Sequence, residues 1–130
     1  MDVKSRRSSM GKVRGLGSAK HGTEHWWLQR LTSLALVPLG LYFITTFFIH
    51  VVYGGYYGSW GWLRSPISAT AVILFLAVGF HHAASGLQVV IEDYVHGEGW
   101  KLFCIITTKF TTLTFALLGI LAVLKILLGA

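Results

Sequence analysis

Apolar residues of the chain fall into three long runs, each long enough for one membrane crossing. The first extends from about Leu28 to Tyr53, the second from about 66 to 91 and the third from about Leu102 to Leu128. A helix needs about 20 predominantly apolar residues to cross the hydrocarbon core of a bilayer. No Lys, Arg, Asp or Glu lies between Ser65 and Ile91. The pattern therefore predicts an all-α integral membrane protein with three transmembrane helices, at about 28–53, 66–91 and 102–128.

Composition supports the membrane assignment. Of the 130 residues, 54% are hydrophobic and only 12% are charged, whereas soluble domains carry about 25% charged residues. The single cysteine, Cys104, allows no intrachain disulfide, and the sequence gives no sign of a zinc site. We expect a basic N-terminal segment, residues 1–24, followed by a membrane anchor domain, residues 25–130. The first 20 residues are interpreted as a mature tail, with a cleavable targeting segment as the lesser alternative.

The distribution of the net charge of +6 indicates membrane orientation and argues against nucleic-acid binding. Lys101 lies on the same side as the N-terminal basic residues, with Lys109 at the margin, whereas Arg64 and Lys125 lie on the other side. Cytoplasmic segments carry the excess of Lys and Arg. We therefore expect a multi-pass protein of the bacterial inner membrane, with a cytoplasmic N-terminus and a periplasmic C-terminus. The N-terminal basic residues are Lys4, Arg6, Arg7, Lys12, Arg14, Lys20 and Arg30.

His82 lies deep in the second apolar run. It is about ten residues from the cytoplasmic end, hence about 15 Å inside the helix. Ionisable residues at such depth are costly and mark proton paths or cofactors by default; a neutral imidazole bonded to a neighbouring helix is the alternative. Neighbours on the His82 face are Gly79, Ser85 and Gly86, which leaves room for a flat, wide group. His82 is therefore the better ligand candidate, and His81, pointing about 100° away, receives no assignment.

Asp93 and Tyr94 end the second run. Asp93 follows His82 by eleven residues, and eleven steps of about 100° return to nearly the same helix face. An interfacial anchor with a helix-ending acid is one interpretation of the pair. Acids at a helix C-terminus are disfavoured by the macrodipole, however, and Glu92 adds a second one. We therefore expect a role other than helix stability for one of these carboxylates.

The stretch HAASGLQVVIEDY, residues 82–94, has a histidine, a glycine four residues on, and Asp-Tyr at eleven and twelve. It resembles the second transmembrane helix of the smaller hydrophobic membrane anchor of succinate dehydrogenase, respiratory complex II. The preceding stretch GSAKHGTEHWWLQRLTSLALVPL, residues 17–39, is similar to the lead-in and first helix of the alphaproteobacterial form. The resemblance covers about Gly17 to Lys101, and the third helix agrees only in length and polarity.

In that family, two anchor subunits hold one haem b between them, each giving one histidine. The resemblance implies that His82 is an axial ligand of the haem iron. It implies that Tyr94 donates a hydrogen bond to ubiquinone and that Asp93 orders the quinone site or supplies protons to it. Arg30 matches the family's arginine near the haem propionates, with a positive-inside flank as the alternative, and His25 is a second candidate for a propionate contact.

The resemblance also implies partners and a role. The chain would be a non-catalytic anchor subunit of succinate:ubiquinone oxidoreductase, active in electron transport and the tricarboxylic acid cycle. It would contact a second cytochrome b anchor subunit, an iron–sulfur subunit, a flavoprotein subunit and membrane lipid, with no nucleic acid. The alternatives are the anchor of a fumarate reductase and a non-redox three-helix membrane scaffold. His81 departs from the family pattern because it doubles the histidine.

Overall fold

The structure, a computed structural model, describes residues 22–129, which are helical almost throughout. It contains α1 (Gly22–Phe47), α2 (Gly55–Arg64), α3 (Pro66–Tyr94) and α4 (Glu98–Leu128), and a π-helical segment, Phe48–Tyr53, continues α1. No strand occurs within residues 22–129, which confirms the all-α prediction. Most of the predicted basic segment, residues 1–21, lies outside the described residues. The division into that segment and an anchor domain stays a prediction.

Three helical stretches are long and apolar enough to cross a membrane: Thr23–Tyr53, Pro66–Tyr94 and Glu98–Leu128. With 29 to 31 residues each, they are about 45 Å long, more than the roughly 30 Å of a hydrocarbon core. The prediction of three transmembrane helices is confirmed. All three helices extend a few residues beyond their apolar runs, because backbone hydrogen bonding can continue outside the hydrocarbon core.

The short helix α2 lies between the first two spans and was not predicted from the sequence. It begins at Gly55 with φ of +60°, a conformation that glycine adopts without steric cost. Gly54 and Gly58 press against the carbonyl oxygen of His50: a Cβ at these positions would stand 2.6 and 2.5 Å from that atom. The glycines therefore let α2 fold back closely onto the π-helical segment.

Helix α3 packs against both other spanning helices, α1 and α4. The buried core is small and lies at the end of the bundle that α2 covers, around Trp62, Ala69, Val72 and Val123. Most large apolar side chains elsewhere are exposed on the outer faces of α1 and α4, as expected for surfaces that meet lipid or other subunits. Because α3 has a neighbour on two sides, its two adjacent histidines can have different surroundings.

Candidate functional site

His82 faces α1, where two polar side chains meet its ring. Its Nδ1 lies 2.9 Å from Oγ1 of Thr32, and its Nε2 lies 3.5 Å from the amide nitrogen of Gln29. All three side chains are partly buried. Gln29 and Thr32 were missed in the sequence, although two polar residues three positions apart share one helix face in the first apolar run. They were not identified because nothing in the sequence showed which helix that face meets.

The contacts of Thr32 favour one arrangement of the hydrogens in this cluster. Its hydroxyl donates to the carbonyl oxygen of Leu28 at 2.8 Å, so its oxygen is available as an acceptor for an N–H at His82 Nδ1. The ring then carries its lone pair on Nε2, which accepts the long hydrogen bond from the Gln29 amide. Gln29 Oε1 is buried and has no hydrogen-bond partner among the described residues. These contacts favour the Nδ1–H tautomer of His82, in which Nε2 carries the lone pair.

Helix α1 packs against the face of α3 that carries Gly79 and Gly86. A Cβ on Gly79 would stand 3.7 Å from Leu36 Cδ2, and a Cβ on Gly86 would stand 3.4 Å from the amide nitrogen of Gln29. The expectation that this face leaves open room for a flat group is therefore wrong for the chain by itself, because helix packing fills the space. The glycines allow α1 to approach α3 closely at the level of His82.

The residues nonetheless fit a haem ligand in their donor chemistry. A metal-bound histidine is neutral, coordinates through one ring nitrogen and donates its other N–H to an acceptor. The contact between His82 Nδ1 and Thr32 Oγ1 is compatible with that arrangement. Gln29 would have to turn away from Nε2 to let iron approach, and its Oε1 has no hydrogen-bond partner within residues 22–129 that would hold the amide in place. Within residues 22–129, no three His, Cys, Asp or Glu side chains cluster to hold a metal unaided.

His81 lies on the α4 side of α3, where it lines a groove of about 470 Å³. His25 and Lys109 line the same groove, whose remaining wall is largely apolar and includes Phe80 and Ile120. The structure therefore brings His25 together with His81 and not into the cluster around His82. No carboxylate lines the groove among the described residues.

Arg30 is exposed next to Gln29 on α1. Its guanidinium carbon stands 4.4 Å from the ring centroid of Trp26, a distance typical of a cation–π contact. The contact holds a positive charge at the beginning of the first span. It agrees with either interpretation of Arg30, as a propionate partner or as a basic flank.

The two acids at the end of α3, Glu92 and Asp93, differ in their hydrogen bonding. Gln88 donates through its amide nitrogen to Glu92 Oε1 at 2.7 Å, whereas Asp93 makes no hydrogen bond within the described part of the chain. Tyr94 is 77% exposed, and the backbone becomes extended at Val95. The carboxylate of Asp93 and the hydroxyl of Tyr94 are therefore both available to a ligand or a partner.

Comparison with known proteins identifies the family. The model of the succinate dehydrogenase/fumarate reductase transmembrane subunit family matches residues 4–127. A succinate dehydrogenase hydrophobic membrane anchor subunit of Rickettsia bellii (strain RML369-C) is 34% identical over 110 residues, covering 83% of this chain and 86% of the relative. The subunit of that name from Paracoccus denitrificans is 32% identical over 106 residues, 74% of each chain.

A succinate dehydrogenase membrane anchor subunit of Reclinomonas americana is 31% identical over 88 residues, which is 66% of this chain and 73% of the relative. No solved structure matches the chain significantly. The family match extends over all three spans and includes the His82 cluster and the Asp93–Tyr94 pair. The chain therefore belongs to the family of succinate dehydrogenase and fumarate reductase transmembrane subunits.

Proposed function

We propose that this chain supplies one axial ligand, His82, to a haem b shared with a second anchor subunit, and part of a ubiquinone-reduction site through Tyr94 and Asp93. Its coarser role, that of a membrane anchor subunit of succinate dehydrogenase, follows from the family match and the named relatives. The observation that supports the proposal is the contact between Thr32 Oγ1 and His82 Nδ1, since a proton held on Nδ1 would leave the Nε2 lone pair for iron.

When bound, haem b supplies a one-electron redox centre. This chain would orient the ring of His82 and keep its second nitrogen occupied. Arg30 offers a guanidinium, which suits a carboxylate such as a propionate. The second axial ligand would come from the partner anchor subunit, because His50 lies beyond the far end of α1 and His96 follows the end of α3.

The quinone part of the proposal concerns the cytoplasmic end of α3. The Tyr94 hydroxyl is free to donate a hydrogen bond to a quinone carbonyl, where it would stabilise the negative charge that develops as electrons arrive. Within residues 22–129 the Asp93 carboxylate makes no hydrogen bond and can hold a proton or orient the site, while Glu92 accepts a hydrogen bond from Gln88. This difference supports Asp93 as the acid with a functional role.

The proposed assembly places the iron–sulfur and flavoprotein subunits on the cytoplasmic side, next to Asp93 and Tyr94. Electrons from succinate would reach the quinone from that side. The family includes fumarate reductase subunits, but the compared relatives bear the name succinate dehydrogenase, which favours succinate oxidation. A non-redox scaffold has no support from the family match.

The visible spectrum tests the ligand assignment. The chain is co-expressed with its partner anchor subunit, and the reduced-minus-oxidised spectrum is recorded for the wild type, His82→Ala and His81→Ala. The neighbouring histidine serves as the control because it is the same residue type one position away. A b-type band is expected in the wild type and in His81→Ala, and its loss is expected in His82→Ala. A band that persists in His82→Ala would contradict the proposal.

A further inference from the structure

We infer that Thr32 is a positioning residue for His82: its hydroxyl oxygen accepts the Nδ1–H and keeps Nε2 unprotonated for a metal. The inference rests on the proposed function of His82 and adds a residue on a different helix. The 2.9 Å contact between Thr32 Oγ1 and His82 Nδ1 joins two side chains 50 positions apart in sequence. It therefore depends on the packing of α1 against α3.

Two hydrogen-bond arrangements suit the heavy atoms of the cluster. In the first, His82 donates from Nδ1 to Thr32, and Nε2 accepts from the Gln29 amide. In the second, Thr32 donates to Nδ1, and a protonated Nε2 faces Gln29, whose amide must then turn to present its oxygen. Only the first leaves a lone pair on Nε2, so an acceptor at Nδ1 favours the form of the ring that can coordinate iron through Nε2.

The helix around Thr32 favours the first arrangement. Thr32 Oγ1 lies 2.8 Å from the carbonyl oxygen of Leu28 and 3.1 Å from that of Gln29. Helical threonines elsewhere in this chain also donate to the carbonyl four residues earlier, at 2.7 to 2.8 Å; they are Thr45, Thr46, Thr112 and Thr114. Such back-bonding uses the hydroxyl hydrogen within the helix and leaves the oxygen lone pairs free.

Thr32 differs from those threonines in what its oxygen reaches. Within residues 22–129 it is the threonine whose hydroxyl contacts a ring nitrogen. Acceptors at the second nitrogen of a ligating histidine fix the ring's rotation and raise its basicity. The loss of such an acceptor typically lowers metal affinity by about 10-fold to 100-fold. This is the effect that the inference assigns to the Thr32 hydroxyl.

The test uses three variants in the complex assembled with its partner subunits. Thr32→Val removes the acceptor with little change of shape, and Thr32→Ser retains a hydroxyl. Thr46→Val is the matched control, because Thr46 is partly buried on the same helix and back-bonds in the same way without touching a histidine. The readouts are haem affinity, from the haem retained during titration with a competing apo-protein, and the haem midpoint potential.

Thr32→Val is expected to lower haem affinity by about 10-fold to 100-fold. The midpoint potential of the remaining haem should become more positive, because a less basic imidazole stabilises ferric iron less. Thr32→Ser and Thr46→Val should behave as the wild type. Wild-type affinity and potential in Thr32→Val would overturn the inference, and so would a Thr32→Ser variant as impaired as Thr32→Val.

These outcomes are separable from failure of the proposed function. Retention of the b-type band in His82→Ala would contradict both the assignment of His82 as a ligand and the role of Thr32. Loss of the band in His82→Ala, together with wild-type haem affinity and midpoint potential in Thr32→Val, would contradict only the role of Thr32.

Discussion

Two adjacent histidines on α3 have different surroundings because an α-helix turns about 100° per residue. His82 is partly buried and bonded across the α1 interface to Thr32. His81 is exposed in the groove beside α4, together with His25 and Lys109. A histidine pair that looks redundant in the sequence is therefore divided between two helix interfaces. At the residue scale, the direction in which each histidine side chain points determines its contacts, since the two lie at nearly the same depth in the membrane.

Replacement of Tyr94 by Phe tests the quinone part of the proposal. The Tyr94 side chain is 77% exposed, so the loss of its hydroxyl should change stability by less than about 0.5 kcal/mol. A hydrogen bond to a developing charge is worth about 1.5–3 kcal/mol, so quinone reduction should slow by roughly 10-fold to 100-fold. Steady-state assays with quinone and with an artificial electron acceptor measure the difference.

Tyr57→Phe is the control for that experiment, since Tyr57 is 86% exposed at the opposite end of the bundle. It should leave both assays unchanged, and Tyr94→Phe should leave succinate oxidation by the artificial acceptor intact. Equal loss in both assays for Tyr94→Phe would indicate faulty assembly and contradict a role in quinone binding.

At the scale of elements, the three spans could be predicted because the bilayer selects for length and apolarity, both of which are visible in the sequence. Helix α2 could not, since it depends on glycines that contact the His50 carbonyl. His82 could be identified as a candidate because an imidazole deep in an apolar run is costly. Thr32 and Gln29 could not be identified, because their contacts with His82 depend on the packing of α1 against α3.

The contact between α3 and α4 depends on a glycine. A Cβ on Gly119 would stand 3.0 Å from Leu76 Cδ1, so a larger side chain must separate the helices or displace Leu76. Gly119→Ile is therefore expected to destabilise the protein by about 1–3 kcal/mol. Gly99→Ile places the same residue on the same helix, where nothing lies within 4 Å of the added Cβ. Thermal unfolding of the detergent-solubilised complex compares the two, and equal losses would contradict the packing argument.

At the scale of the whole molecule, the large exposed apolar surface explains why this chain is an anchor and not an independent bundle. The main buried cluster lies at one end, and the outer faces of α1 and α4 present side chains such as Leu34, Leu41 and Phe110. Lipid or a second subunit must cover these faces, because apolar surface of this extent has no stable place in water. The contacts of His82 with Gln29 and Thr32 depend on the position of α1. The lipid or subunit that packs against α1 therefore also influences the geometry of the proposed haem site.

The orientation of the chain in the membrane is the remaining prediction, and it decides which aqueous compartment the proposed quinone site faces. The excess of basic residues before α1, with Lys101 at the beginning of α4, should hold the N-terminus and the α3–α4 connection in the cytoplasm. In a Cys104→Ser background, single cysteines at Tyr57→Cys and Gly97→Cys are treated with a membrane-impermeant maleimide. In spheroplasts, Tyr57→Cys should react at once, whereas Gly97→Cys should react only after lysis.

Lysed membranes serve as the control for that labelling, because both cysteines should react once both faces are accessible. The reverse pattern would place Tyr94, three residues before Gly97, on the outer face. Electrons would then have to reach the quinone from the side opposite the proposed cytoplasmic subunits. Labelling in the expected order would place the Asp93 carboxylate and the Tyr94 hydroxyl on the cytoplasmic side. There, subunits that oxidise succinate could deliver electrons directly and protons could enter from the cytoplasm.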